Sequence, residues 1–254
     1  MKKIIVSSLL VIGAWLPGLG LTSGPELKLD RAPTEKFNDV LSLQRGAKVF
    51  VNYCLNCHSA SYYRYNRLRD IGLSDEQIKD NLLFTSDKVG DLMRVAMTRQ
   101  DATAWFGAAP PDLSLIARAR SSEFGSGADW LYTYLRTFYR DPSRPTAWNN
   151  LVFENVGMPH VLWELQGDLA LHIDKSKDAH GNPVEHKTLQ LVKPGKLSQS
   201  EYDSLVGDLV AFLVYVGEPV AVSRKSIGIG VILFLSVLAV FTYLLKREYW
   251  KDIH

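Results

Sequence analysis

Both cysteines of this 254-residue chain fall inside one pentapeptide, Cys54-Leu55-Asn56-Cys57-His58. No other stretch restricts the possible folds as sharply. Two thiols three positions apart, followed at once by an imidazole, match the attachment pattern of a c-type haem. Each sulfur can add to one vinyl group of the porphyrin, and the histidine then sits beside the iron as its proximal ligand. A redox dithiol or half of a zinc site is the competing reading, but no second cysteine pair exists to complete a tetrahedron. With both cysteines spent, a disulfide framework is excluded. At 46% hydrophobic and 22% charged residues, a chain of this length can build a sizeable core without one. A formal charge of +2 gives no sign of a nucleic-acid partner.

The two ends carry membrane signals of different kinds. Lys2 and Lys3 precede the uncharged apolar run Ile4 to Leu16, and Pro17 and Gly18 then interrupt it. With small residues at Gly18 and Gly20, residues 1–20 read as an export signal peptide, an uncleaved anchor being the alternative. Export agrees with the pentapeptide, because haem is attached to such motifs outside the bacterial inner membrane. At the other end, Ile227 to Leu245 holds neither a charge nor a proline. As a helix it would span about 28 Å, close to the hydrocarbon thickness of a bilayer. Arg224 and Lys225 stand before it, and Lys246, Arg247, Tyr249, Trp250 and Lys251 follow it. The more basic end is expected on the cytoplasmic side. The sequence thus divides into the signal, a periplasmic haem domain over 21–223, and a single-pass anchor with a short tail over 224–254.

Between these ends the pattern is mainly helical. Leu21 to Thr34 reads as an extended arm, and Phe37 to Asn52 as a helix delivering the pentapeptide at its C-terminal end. Tyr62, Tyr63 and Tyr65 can line a porphyrin or serve as ordinary core and surface tyrosines. Ser74 to Gln77 and Ser198 to Glu201 are capping boxes that open helices, the second carrying Leu205 to Val216 inward. Asp87 to Arg99 is expected to be helical, with Met93 and Met97 on one face. Pro110-Pro111 enforces an extended stretch, after which Asp112 or Ser114 starts a helix bearing Arg118 and Arg120. Ala128 to Arg140 reads as an aromatic-rich helix, and Leu169 to Leu191 as a β-hairpin around Asp178 to Pro183. His172, His180 and His186 lie in that hairpin, at spacings that match no metal site.

The iron's sixth ligand has several candidates. Met158 stands between Gly157 and Pro159 in a constrained loop, and its soft, neutral thioether favours ferrous iron. His160 is its internal rival, and Met93 or Met97 would compete from the preceding stretch. Met158 is the leading choice because methionines at helical spacing usually fill cores. Arg118 and Arg120 point to different faces of their helix, so one of them could pair with a haem propionate.

Four features in order resemble the cytochrome c1 family of respiratory bc1 complexes. They are Tyr53-Cys-x-x-Cys-His58 with Tyr62 to Leu68 behind it, Pro110-Pro-Asp-Leu-Ser114 with Arg118-Ala-Arg120, Gly157-Met-Pro159, and the single C-terminal span. The resemblance implies a mainly α, class I c-type cytochrome domain with long insertions, carrying one covalent haem c on Cys54 and Cys57. It also implies His58 and Met158 as axial ligands and Arg120 near a propionate. In function it implies electron transfer from a Rieske iron–sulfur protein to a soluble or anchored c-type cytochrome, with cytochrome b as membrane neighbour. The chain would then serve as an electron-carrying subunit of a quinol–cytochrome c oxidoreductase in the bacterial inner membrane. A free-standing, membrane-anchored cytochrome feeding a terminal oxidase is the alternative. It needs fewer residues than the hundred between His58 and Met158. A haem sensor or peroxidase-like enzyme with an open distal position is the alternative from another class. The hairpin at Leu169 to Leu191 has no counterpart among the matched features.

Overall fold

The computed structural model describes residues 28–177 and 183–251. The proposed signal peptide, the start of the arm, and the hairpin turn with His180 lie outside these residues. In chain order the helices are α1 (Val40–Val49), α2 (Asp75–Asn81), α3 (Arg99–Phe106), α4 (Ile116–Ala119), α5 (Gly127–Arg136), α6 (Trp163–Gln166), α7 (Gln199–Gly217) and α8 (Ala221–Tyr249). The strands are β1 (Ala60–Arg64), β2 (Leu92–Met93), β3 (Phe138–Arg140), β4 (Trp148–Asn150), β5 (Gly167–Lys177) and β6 (Pro183–Pro194), paired antiparallel as β1–β2, β3–β4 and β5–β6. Helix dominates, as expected, and the small ribbons lie around it.

The core forms where α1 crosses α7. On α1 the buried side is Leu43, Gly46, Ala47 and Val49; on α7 it is Val206, Leu209, Val210, Phe212, Leu213 and Val216. Gly46 makes the crossing possible. A Cβ there would lie 2.1 Å from the Asp208 carbonyl oxygen and 2.7 Å from the Phe212 Cβ. Polar groups lock the same crossing: Asp208 receives Lys36 Nζ at 2.7 Å and Arg45 Nε at 2.6 Å, its own side chain being only 5% exposed. Ser198 and Glu201 form the expected capping box at the start of α7, and Ser74 and Gln77 form the other at α2. The arm is held along this core, with Asp30 N donating to Thr133 Oγ1 and Ala32 N to Asp129 Oδ1.

Three expectations need correction. Asp87 to Arg99 is not a helix. The Asp91 carboxylate accepts from Ser86 Oγ and Lys88 N, and Arg64 Nη1 donates to the Gly90 carbonyl, so local bonds hold the chain in a turn. Met93 then pairs with Ala60 in β1–β2, and the helix begins only after the Thr98 cap. Met93 and Met97 therefore share no helical face. The aromatic helix after Ala128 stops at Arg136, because Asn150 Nδ2 takes the Tyr134 carbonyl and the chain continues as β3. Helix α4 starts at Ile116, two residues after Ser114, since Asp112 uses its carboxylate to hold Ser114 N in a turn.

The β5–β6 hairpin is present as expected and longer, with its register running from Gly167↔Pro194 to Lys177↔Pro183. Its base packs on β3 with Leu169 buried, while His172 and His186 are exposed. At the C-terminus, Ser223–Tyr249 within α8 is long and apolar enough to cross a membrane, with a mean hydropathy of 2.5 over its most apolar window. It contains the run expected to span the bilayer.

The crossing yields two predictions. Gly46→Ala should gain about 1 kcal/mol of helix propensity, yet the forced separation of two backbones should outweigh it and leave a net loss of about 1–3 kcal/mol. Unfolding in detergent monitored by circular dichroism would measure this. Gly90→Ala, with nothing within 4 Å of an added Cβ, is the control. Burial pushes the Asp208 carboxyl up, but hydrogen bonds from Arg45 and Lys36 outweigh burial and hold it below its ordinary value of 3.8. Its stabilising contribution is therefore complete above 3.8 and lost as pH falls through the lower, folded value. Asp208→Asn should flatten that part of the acid-unfolding profile.

Candidate haem site

Helix α1 does not end before the pentapeptide but widens into a π-helical turn over Phe50–Cys54. The extra residue in that turn sends Leu55 into the core, fully buried, while Cys54 and Cys57 stay partly accessible. His58 N and Cys57 N both donate to the Cys54 carbonyl, at 2.8 and 3.1 Å, folding the motif into one tight turn. A π-turn in this position has the usual association of such turns with functional residues.

His58 is oriented by a group on another part of the chain. Its Nδ1 lies 2.7 Å from the Pro111 carbonyl oxygen. A carbonyl only accepts, so Nδ1 carries the proton and Nε2 keeps its lone pair, the tautomer an iron ligand needs. Burial pushes this imidazole below its ordinary value and so favours the neutral form, outweighing Pro111 and Asp112, which favour the charged one. Burial also pushes the Cys54 thiol up to about 12, with Cys57 adding to the shift. A charged thiolate is thus disfavoured there, whereas a thioether carries no charge to bury.

The Pro111 carbonyl is held in place by its neighbours. Asp112 Oδ2 accepts from Ser61 N at 2.9 Å, Ser114 Oγ accepts from Tyr62 N at 3.0 Å, and Leu113 N donates to Ser59 O at 2.8 Å. The double-proline loop is thereby laced along the strand that leaves the pentapeptide. Burial alone would raise the Asp112 carboxyl, but hydrogen bonds from Ser114 and Ser61 hold it below its ordinary value.

From this loop, α4 leads to the two arginines. Arg118 turns outward to Glu218 at 2.9 Å. Arg120 turns inward, its guanidinium 4.5 Å from the Trp130 ring centre and 5.7 Å from that of Phe153, and its Nε is buried with no hydrogen-bond partner. Gly127 lets α5 approach this closely, since a Cβ there would sit 2.0 Å from the Ala117 carbonyl. An unpaired, buried donor of an always-charged group is the observation that best fits an anionic partner such as a propionate.

Met158 lies in the loop between β4 and α6, partly buried against the core. The Tyr134 hydroxyl donates to its Sδ at 3.4 Å. Tyr134 belongs to an aromatic stack on α5, parallel to Trp130 at 4.7 Å and edge-on to Phe138 at 5.0 Å. His160, the rival ligand, sits deeper: its ring stacks on Phe138 at 4.8 Å and meets Trp148 at 5.1 Å. Burial pushes it down to about 4, with the Gln166 side chain opposing. Met93 is fully buried in the core, and Met97 lines a small cavity beside Cys57 and Ser59. Of the three tyrosines after the motif, Tyr63 packs on Phe212 and Tyr215, Tyr65 bonds Thr85, and Tyr62 is 78% exposed.

The structure thus joins His58 to the double-proline loop, Arg120 to α5, and Met158 to the same face of α5. Sequence reasoning named the ends of this chain of contacts and the aromatic helix with Trp130 and Tyr134, but not the Pro111 carbonyl as the partner of His58, the bonds of Asp112 to Ser61 and Ser114, or the Tyr134 hydroxyl as the partner of Met158. The spacing of Trp130 and Tyr134 was the available signal, since residues four apart share a helical face.

A model of the Cytochrome C1 family matches residues 30–253, a span that includes all three site segments and the apolar helix. The chain is 52% identical over 238 residues to the ammonia monooxygenase gamma subunit of Nitrosomonas europaea, covering 94% of each chain. It is 47% identical over 255 aligned positions to cytochrome c1 of Allochromatium vinosum, covering 100% of both. A protein named cytochrome b/c1 from Bradyrhizobium diazoefficiens is 28% identical, over 91% of this chain and 35% of its own length.

Asp112→Ala should cost about 1 kcal/mol in urea unfolding, the scale of one net hydrogen bond, because Ser61 N and Ser114 N revert to water. It should also loosen the Pro111 carbonyl, seen by NMR as faster exchange of the His58 Nδ1 proton. Asp112→Asn keeps an accepting oxygen and should retain most of both.

Proposed function

The chain belongs to the cytochrome c1 family, and we propose that it carries electrons from a Rieske iron–sulfur protein to a c-type cytochrome within a quinol-oxidising bc1-type complex. Family members are haem proteins with one covalent haem c, and this chain has both attachment cysteines and a membrane-anchoring helix. When bound, the haem supplies reversible one-electron chemistry at iron.

In this reading Cys54 and Cys57 would carry the covalent attachment, and His58 Nε2 and Met158 Sδ would hold the iron. The observation that carries it is the His58 Nδ1 to Pro111 carbonyl bond, which leaves Nε2 free for a metal. Arg120 would pair with a haem propionate through a guanidinium already desolvated by Trp130 and Phe153. With an imidazole and a thioether both committed to holding the iron, the chain's own task would be electron transfer rather than substrate chemistry. A neutral thioether and burial both favour the less charged, ferrous state.

The layout follows from the termini. Residues 1–20 act as the export signal, 21–223 form the haem domain in the periplasm, and 224–254 anchor it to the inner membrane. Lys246, Arg247 and Lys251 at the far end of α8 favour the cytoplasmic side. Cytochrome b is the membrane neighbour in this proposal, in keeping with a relative whose name joins b and c1.

A second reading follows from the relative named as an ammonia monooxygenase subunit. Purification of the complex in mild detergent separates the two. Recovery with a b-type cytochrome and a Rieske protein is expected. Recovery with monooxygenase subunits, and without those two, would favour the second reading. For the ligand assignment, the ferric protein should show a weak near-infrared sulfur-to-iron band that disappears in Met158→Leu.

A further inference from the structure

Tyr134 is placed to act on the iron through Met158. Its hydroxyl is 3.4 Å from the thioether sulfur. The ring is not free to swing away: Trp130 lies parallel to it with an interplanar angle of 13°, and Phe138 closes its edge at 68°. Its backbone carbonyl is held as well, by Asn150 Nδ2 at 2.8 Å. Trp130 also meets the Arg120 guanidinium, 4.5 Å from its ring centre. Four side chains therefore form one rank, Arg120–Trp130–Tyr134–Met158, running from the proposed propionate partner to the proposed distal ligand.

We propose that Tyr134 is a positioning residue, holding the Met158 sulfur by a hydrogen bond and raising the reduction potential of the iron it ligates. The proposal rests on the reading of Met158 as the distal ligand. A thioether sulfur has two lone pairs. One is offered to the metal, and a phenol hydroxyl can engage the other. That hydrogen bond draws electron density from the sulfur, so Met158 becomes a weaker donor. Weaker donation disfavours the electron-poor ferric state more than the ferrous state, which moves the equilibrium towards reduction. The same contact fixes the side-chain torsions of a flexible methionine, reducing the disorder lost when the ligand bond forms.

The test uses the full-length, haem-loaded protein in detergent, with redox titration followed by visible absorption and with ferric near-infrared spectra. Tyr134→Phe keeps the ring and its stacking and removes only the hydroxyl. It should favour the ferric state by about fivefold, the scale of one net hydrogen bond, which for a one-electron couple is a potential lower by about 40 mV. The near-infrared band should persist at a shifted position. Tyr132→Phe is the control, because Tyr132 lies on the same helix with its ring under Arg136, whereas the hydroxyl bonded to Met158 is that of Tyr134. A potential unchanged in Tyr134→Phe, while the wild type shows the sulfur band, would overturn the proposal and leave Met158 as ligand. A band absent from the wild type would remove the Met158 reading and the proposal together. An equal drop in Tyr132→Phe, or loss of covalent haem in Tyr134→Phe, would show a merely structural role and also overturn it.

Discussion

The contact on which the rest of the molecule depends is the backbone approach of α1 to α7 at Gly46 and Asp208. A side chain of any size at residue 46 would meet a carbonyl oxygen at 2.1 Å, so the two helices can cross this closely only through glycine. That closeness buries Phe50 and Phe212 against each other at 5.6 Å and brings Lys36 and Arg45 onto the one carboxylate of Asp208. A carboxylate so little exposed would be a liability alone; with two cationic partners it has its charge matched and its oxygens bonded. The direction in which α1 leaves this crossing sets where Cys54, Cys57 and His58 emerge. The placement of the site is thus a consequence of helix packing some eight residues upstream.

A second layer of constraint comes from irregular backbone. The strand after His58 and the double-proline loop exchange four hydrogen bonds of mixed kind, involving Ser59 O, Asp112, Ser114 Oγ and the His58 ring. Prolines lack amide donors, so Pro110 and Pro111 leave carbonyls without competing helical or ladder partners. One of those carbonyls takes His58 Nδ1. The double proline therefore has a chemical role beyond stiffness: it presents an acceptor that no regular secondary structure claims.

Much of this was legible in the sequence, and the failures have identifiable causes. The capping boxes at Ser74 and Ser198 were readable because their bonds are local and carried by residues three apart. The hairpin was readable from alternation, and the anchor from an uninterrupted apolar run. The helix expected over Asp87 to Arg99 failed because periodicity was weighed without the Ser86, Asp91 and Arg64 groups that satisfy the backbone differently. By local propensity a glycine at 46 is only a small loss within a helix, whereas its value lies in a partner 162 residues away in sequence. Asp208 was hidden for the same reason, as an acidic residue within an apolar helix whose partners sit on the arm and α1. The proposed ligating residues could be named from sequence because their chemistry is local. The groups that orient them, Pro111 O and the Tyr134 hydroxyl, act across 53 and 24 residues and were not.

The same layout ties the membrane anchor to the proximal side of the site. Glu218, in the neck between α7 and α8, accepts from Arg118 at 2.9 Å and from Arg224 at 3.2 Å. Gly217 packs against the backbone of Ser114 and Leu115, residues of the loop that presents the Pro111 carbonyl. The exposed ion pairs contribute little stability in water. Their geometry matters more, because one carboxylate joins the first turn of the anchor to α4, two residues from Arg120. In the proposed electron carrier, these contacts would relate the haem-binding face to the start of the anchor, which is a distance constraint. The residues that present His58 and those that meet the anchor belong to one packed unit, so ligand geometry and membrane placement are set by the same contacts.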